Sequence, residues 1–141
     1  MADFKLMPMT MRHYEPVYAL WQASPGIVLT RSDSRERIEA FLRRNPGLSH
    51  VAMVQEKLVG AVLCGHDGRR GYLHHLAVAA AYRGRGIGRA LVEICLRRLR
   101  EQGIEKCHIF VMQDNPEGIA FWERIGWIDR TELKIMSYVL Q

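Results

Sequence analysis

The chain has 141 residues, 48% of them hydrophobic and 25% charged, and its formal net charge is +5. This length and composition suit one globular domain over residues 1–141 and exclude a disordered or fibrous chain. No apolar run reaches the ~18 residues of a membrane span, and residues 1–16 lack the long apolar stretch of a secretory signal, so we expect a cytoplasmic protein without a membrane partner.

Hydrophobic periodicity and turn residues predict an α/β chain with a mixed sheet. Alternating or continuous apolar runs indicate strands, and apolar spacings of three and four indicate amphipathic helices. Asp33 and Glu36 have the spacing of a capping box before the second helix. The predicted order is strand 3–8, helix 11–23, helix 34–44, strands 50–55, 58–66 and 72–79, helix 87–102, strand 107–112, helix 115–126, a short extra strand at 127–131 and a closing strand 133–140.

The cysteines offer no metal or disulfide pattern. Cys64, Cys95 and Cys107 form no C-x-x-C pair, and no His/Cys group has zinc spacing, so no metal site is expected. Each lies in an apolar run, which favours buried reduced thiols over a reactive nucleophile.

The segment "YRGRGIGRA" (82–90) combines three glycines and three arginines at the start of a predicted helix. The phosphate-loop pattern G-x-x-x-x-G-K-[ST] is absent, and G-x-G-x-x-G fails because its third glycine would fall on Arg89. The pattern [QR]-x-x-G-x-[GA] does fit, from Arg83 to Gly88. Glycines allow positive φ and a close approach, and N–H groups at a helix start bind anions. A merely charged, solvated turn is the alternative interpretation.

Together, "LHHLAVAAAYRGRGIGRALV" and "NPEGIAFWERIGW" resemble the GCN5-related N-acetyltransferase (GNAT) family. The resemblance spans most of the chain and is strongest over 72–127. It implies the order βααβββαβαβ with splayed central strands, and acetyl transfer from acetyl-CoA to an amine. No metal is implied.

The resemblance also implies which residues hold acetyl-CoA. The pantetheine arm would pair with the backbone of the 76–78 strand end, the diphosphate would bind amides of the glycine-rich turn with Arg83 in support, and Asn115 and Trp122 would contact the coenzyme arm. The implied contacts are Leu76, Ala77, Val78, Arg83, Gly84, Arg85, Gly86, Ile87, Gly88, Arg89, Asn115 and Trp122.

The catalytic assignments concern one strand. Strict alternation would place Tyr72, His74, Leu76 and Val78 on one face and His75 on the other. His74 is the preferred general base, acting through water, because an imidazole titrates near neutral pH. Tyr72 is the second candidate and His75 a lesser one. The backbone N–H of Leu76 is implied as the oxyanion donor.

Other features leave alternatives open. Trp122 stands where many relatives carry a tyrosine general acid, so a non-catalytic acetyl-CoA-binding module remains an alternative. "LRRLRE" (96–101) would suit a basic nucleic-acid binder, but its apolar spacing favours an amphipathic helix with a solvated face. The acceptor amine cannot be read from the sequence, and a homodimer is allowed by the resemblance alone.

Overall fold

The computed structural model describes residues 3–140. Within them, five strands form one sheet in the order β1-β2-β3-β4-β5, antiparallel except for the parallel pair β4–β5. The strands are β1 (Lys5–Pro8), β2 (His50–Val54), β3 (Lys57–His66), β4 (Gly71–Val78) and β5 (Cys107–His108), and the helices are α1 (Tyr14–Gln22), α2 (Arg35–Arg44), α3 (Ile87–Glu101) and α4 (Pro116–Arg124). The predicted mixed α/β sheet is confirmed.

Helices cover both faces of the sheet. Ala61 on β3 belongs to the core cluster that includes Trp21 of α1 and Ile38 of α2. A Cβ atom built on the neighbouring Gly60 would lie 3.1 Å from side-chain atoms of both Ile87 and Leu91 of α3. Because successive residues of a strand point to opposite faces, α1 and α2 lie on one face and α3 on the other. No helix among residues 3–140 is long and apolar enough to span a membrane.

The chain divides into two compact units, one ending at Phe110 and one beginning at Val111. The second unit contains α4, whose Trp122 ring meets the rings of Phe121 and Trp127 edge-on, with centroids 5.2 and 4.8 Å apart. A single domain over 1–141 stays a prediction.

The predicted strands near the carboxyl end are wrong. Residues 133–140 form no strand, and Ile135 and Tyr138 are 67% and 88% exposed. The short strand expected at 127–131 is also absent, and the strand expected at 107–112 is reduced to β5. Alternating apolar residues are not sufficient for a strand, because each strand needs a paired neighbour, and the described ladder ends at His108.

The second helix begins differently from the prediction. Ser34 is its N-cap, and the Ser34 hydroxyl accepts a hydrogen bond from the N–H of Arg37 at 3.3 Å. Asp33 instead ends a 3-10 turn (Arg31–Asp33), where its Oδ2 accepts the N–H of Thr30 at 3.0 Å. The carboxylate therefore faces the connection between α1 and α2, which leaves its other oxygen for a distant partner.

Candidate functional site

The strands β4 and β5 part after a short contact. They pair only at Gly71–Cys107 and Tyr72–His108, and β4 continues to Val78. Among the described residues, positions 73–78 of β4 therefore have no ladder partner on the β5 side. This confirms the predicted splay, and it opens a sheet edge inside the first unit.

A β-bulge changes which backbone groups face this gap. The N–H of Gly71 donates to Lys106 O next to β5, whereas the N–H of Ala79 donates to Val59 O near the start of β3. In a regular strand, the N–H groups of two odd-numbered residues would point to the same side. Here the N–H groups of Gly71 and Ala79 point to opposite sides of β4. The change of side occurs where one β3 residue, Val62, faces two residues of β4.

The bulge turns the backbone of Leu76 and Val78 toward the gap. Alternation counted back from Ala79 directs these even-numbered residues away from β3. If the alternation that starts at Gly71 continued unbroken through the strand, His75 and Ala77 would face the gap instead. Sequence reasoning named Leu76 and Val78 through the family resemblance, but it did not include the bulge.

The predicted face assignment on β4 is therefore wrong after His74. His75 has φ +56°, in the left-handed region, and its ring meets the Trp21 ring of α1 edge-on at 4.9 Å. His74 meets Phe41 of α2 at 6.3 Å, so the two histidines face the same helical layer. Ala77 is buried in that layer as well, because the bulge restores it to the face of His74.

His75 is held by a carboxylate from the α1–α2 connection. Its Nε2–H donates to Asp33 Oδ1 at 3.0 Å, and its backbone carbonyl accepts the Trp21 Nε1–H at 2.9 Å. The Tyr14 hydroxyl donates to the carbonyl of Asp33 at 2.6 Å. Asp33 lies 42 positions from His75, so no local motif pointed to the pair.

His74 lies in an aromatic cluster formed by Phe41, Tyr72, His74, His108 and Phe110. Its ring is stacked with those of Tyr72 and Phe110, at centroid distances of 6.2 and 6.3 Å. Burial, with a smaller contribution from the nearby His75, lowers the pKa of His74 below its usual 6.5. Its imidazole is therefore neutral at pH 7 and able to accept a proton.

The glycine-rich turn has the geometry of an anion site. Gly84 and Gly86 have φ of +78° and +84°, and Gly86 is the N-cap of α3. The first α3 bond runs from the N–H of Ala90 to Gly86 O, so the N–H groups of Ile87, Gly88 and Arg89 have no acceptor within the helix. Free N–H groups and the positive end of the helix dipole favour a bound anion.

The arginines of the turn make local contacts. The Nε–H of Arg83 donates to Val78 O at 3.1 Å and so links the turn to the end of β4. Arg85 lies over the Tyr82 ring at 4.9 Å, and the Nε of Arg89 is 3.1 Å from Glu93 Oε2. These side chains are at the surface, where ion pairs are weak and their charge is available to an anion.

Asn115 and Trp122 belong to the second unit. Asn115 is the N-cap of α4, and its Oδ1 accepts the N–H of Gly118 at 3.1 Å. This is a structural role, so any contact of Asn115 or Trp122 with a coenzyme stays a prediction.

The thiols are unsuited to nucleophilic catalysis. All three cysteines are free, and Cys64 and Cys95 are buried. Burial raises the pKa of Cys107 to about 12, so almost none of it is thiolate at neutral pH. Within residues 3–140, no group of three metal-ligating side chains is found.

Comparison with known proteins gives this geometry its context. The family described as "Acetyltransferase (GNAT) family" matches residues 14–127. The chain belongs to the GNAT acetyltransferase family. An acetyltransferase of Pectobacterium atrosepticum is 35% identical over 114 residues, which cover 81% of this chain and 80% of that one. As a GNAT member the protein is an N-acetyltransferase that uses an acyl-CoA and an amine acceptor.

Solved GNAT structures share the fold. Ard1 from Thermoplasma volcanium superposes with a TM-score of 0.80 at 24% identity, covering 90% of this chain and 84% of that chain. The PaiA N-acetyltransferase of Thermoplasma acidophilum, solved in complex with coenzyme A, gives a TM-score of 0.76 at 16% identity and covers 89% of both chains.

Proposed function

We propose that this GNAT enzyme transfers an acetyl group from acetyl-CoA to the primary amine of a small molecule or of a peptide or protein N-terminus. The observation that carries this proposal is the juxtaposition, at one end of β4, of gap-facing backbone groups at Leu76 and Val78 with the left-handed glycine turn before α3. The first can pair with an amide-containing arm, and the second can bind a diphosphate.

The turn supports the assignment of the coenzyme residues. Amides from Arg85 to Arg89 would bind the diphosphate, and Arg83 would keep the turn against Val78. Leu76 and Val78 would contribute backbone hydrogen bonds to the pantetheine arm. Ala77 lies between them, and its side chain packs in the core, since the residue is only 5% exposed.

The reaction requires a neutral amine. An alkylammonium group, with a pKa of about 10.4, has no lone pair and must first lose a proton. We assign this step to His74, through water, because burial keeps its imidazole neutral. The amine nitrogen then attacks the thioester carbonyl, and the N–H of Leu76 donates to the developing oxyanion.

Departure of the thiolate needs no tyrosine. Indole cannot supply a proton, so Trp122 does not act as a general acid. A thiol with a pKa near 8.5 leaves readily as its anion, and solvent protonates it afterwards.

The test is a thiol-release screen of diverse primary amines with acetyl-CoA, run on the parent, His74→Ala and Tyr72→Phe. We expect kcat/KM of the parent to fall on the acid side as His74 protonates. His74→Ala should lose about 100-fold in kcat and this acid limb. Tyr72→Phe keeps the stacked ring and should stay within about threefold of the parent in kcat.

The reverse result, with activity lost in Tyr72→Phe and kept in His74→Ala, would move the role of base to Tyr72. If the protein binds acetyl-CoA but releases no thiol with any amine tested, the result would instead support a non-catalytic acetyl-CoA-binding module. Trp122, in place of the usual tyrosine, is the reason for considering that alternative.

A further inference from the structure

The bulge in β4 contains a backbone conformation that residues other than glycine seldom adopt. At φ +56°, His75 lies in the left-handed region, which glycine adopts at no steric cost. Such strain persists where surrounding contacts maintain it, and it is concentrated at functional positions. The contacts that hold His75 are therefore part of what keeps Leu76 and Val78 turned toward the gap.

Two elements outside the strand supply these contacts. Trp21 of α1 donates its indole N–H to the His75 carbonyl, and Asp33 accepts the His75 Nε2–H. We call Trp21, Asp33 and His75 the bulge clamp. Trp21 is fully buried, Asp33 is 5% exposed and the His75 side chain is 21% exposed, so both contacts are partly shielded from competing water.

The clamp is fixed in turn by the α1–α2 connection. Asp33 accepts the N–H of Thr30 through Oδ2, while its Oδ1 receives His75, so each carboxylate oxygen has its own donor. The Tyr14 hydroxyl fixes the backbone of Asp33 from α1. A change in this connection is thus transmitted through one hydrogen bond to the residue next to Leu76.

We propose that His75 is a positioning residue: held by Asp33 and Trp21, it keeps the β4 bulge in the conformation that aims the Leu76 N–H at the thioester carbonyl. This rests on the proposed function, in which that N–H stabilises the oxyanion. His75 acts through the backbone and does not itself take the amine's proton.

The experiment removes the His75–Asp33 hydrogen bond by changing each of its two residues in turn. His75→Asn tolerates the left-handed backbone but is too short to reach Asp33, and Asp33→Ala removes the acceptor. We expect each to lower kcat at least tenfold and to weaken the Kd for coenzyme A, measured by calorimetry, only about threefold, because the pantetheine contacts at Leu76 and Val78 loosen while the glycine-rich turn still binds the diphosphate. The double variant should lose little more than either single one, because both remove the same contact.

Two control variants and one backbone measurement accompany this test. His50→Asn replaces a buried histidine on β2 whose Nδ1–H donates to Leu48 O, so it reports general destabilisation while every contact of the bulge clamp is kept. Asp33→Asn retains one acceptor oxygen and should recover part of the kcat. In amide spectra of the free protein, the N–H of Ala79, which donates to Val59 O just beyond the bulge, should exchange with solvent faster in both clamp variants than in the parent.

Unchanged kcat and Ala79 exchange in both clamp variants would overturn the proposal. Loss of the acid limb in His75→Asn would also overturn it, since His75 would then be the base. If the parent releases no thiol with any amine, the proposed function fails, and Ala79 exchange alone still decides whether the clamp holds the bulge.

Discussion

Gly86 lies in the glycine-rich turn, is the N-cap of α3 and belongs to the candidate diphosphate site. Its φ of +84° lies where a side chain costs about 1–2 kcal/mol. A Cβ there meets no atom within 4 Å, so conformation, not space, restricts this position to glycine. The turn is therefore sensitive to the smallest substitution.

We expect Gly86→Ala to weaken coenzyme A binding at least tenfold, because the altered backbone misdirects the amides at the start of α3. Gly103, at φ +82° just after the same helix, is the matched control, since a Cβ there also meets nothing within 4 Å. Gly103→Ala should cost similar stability and leave the Kd unchanged in calorimetry. Equal Kd values for the two variants would contradict a diphosphate site at the turn.

At the scale of elements, α4 has an N-cap with two possible uses. The Oδ1 of Asn115 caps the helix, and the family resemblance adds a contact with the coenzyme arm. Substitutions that keep the cap and remove the amide separate these uses.

Asn115→Ala should lower the free energy of unfolding by about 1 kcal/mol, whereas Asn115→Ser should restore most of this loss, since serine is an equally good N-cap. If the amide binds the coenzyme, both variants should weaken the Kd for coenzyme A by a similar factor. Urea unfolding and calorimetry measure the two effects. A normal Kd in both variants would limit Asn115 to its role as a cap.

Elements with strong local signals were predictable. The helix expected at 87–102 is α3 (Ile87–Glu101), because its apolar spacing and the glycines at both ends agree. The prediction of a closing strand at 133–140 is wrong because alternating apolar residues indicate which faces a strand would have, but not whether a neighbouring strand pairs with it.

The site was predictable only where a motif carries it. The glycine-rich turn is recognisable from its glycine spacing, and the family resemblance identifies Leu76 and His74. No sequence motif marks the bulge, because its left-handed residue is a histidine and not a glycine. The spacing of Asp33 and Glu36 predicts a helix cap, a position that aspartate favours, and only the fold brings the side chains of Asp33 and His75 together.

At the scale of the whole molecule, buried histidines connect stability to pH. Burial lowers the pKa values of His13, His50 and His74, with Arg12 and Arg98 adding to the effect at the first two. His13 accepts the N–H of Thr10 through Nδ1, a bond that only its neutral form can make. The folded state therefore binds these protons less readily than the unfolded chain does.

Stability should therefore be complete above about pH 6.5, the unfolded pKa, and should decrease as the pH falls below it, because the unfolded state binds more protons. Thermal unfolding between pH 7.5 and 5 measures this slope. His50→Asn keeps an amide donor near Leu48 O but cannot titrate, so its Tm should fall less steeply with acid. The same slope in parent and variant would show that His50 does not contribute.

The extra residue in β4 also restricts how this chain can change in length. Loops at the ends of β4 can gain or lose residues without altering which groups the strand presents. A deletion inside β4 keeps them only at the bulge, because without His75 the residue Val62 would face Leu76 alone and Ala77 would stay on the face of His74. Deleting Leu73 would instead make Tyr72 and His74 direct neighbours on opposite faces, and the stacking of their rings would be lost.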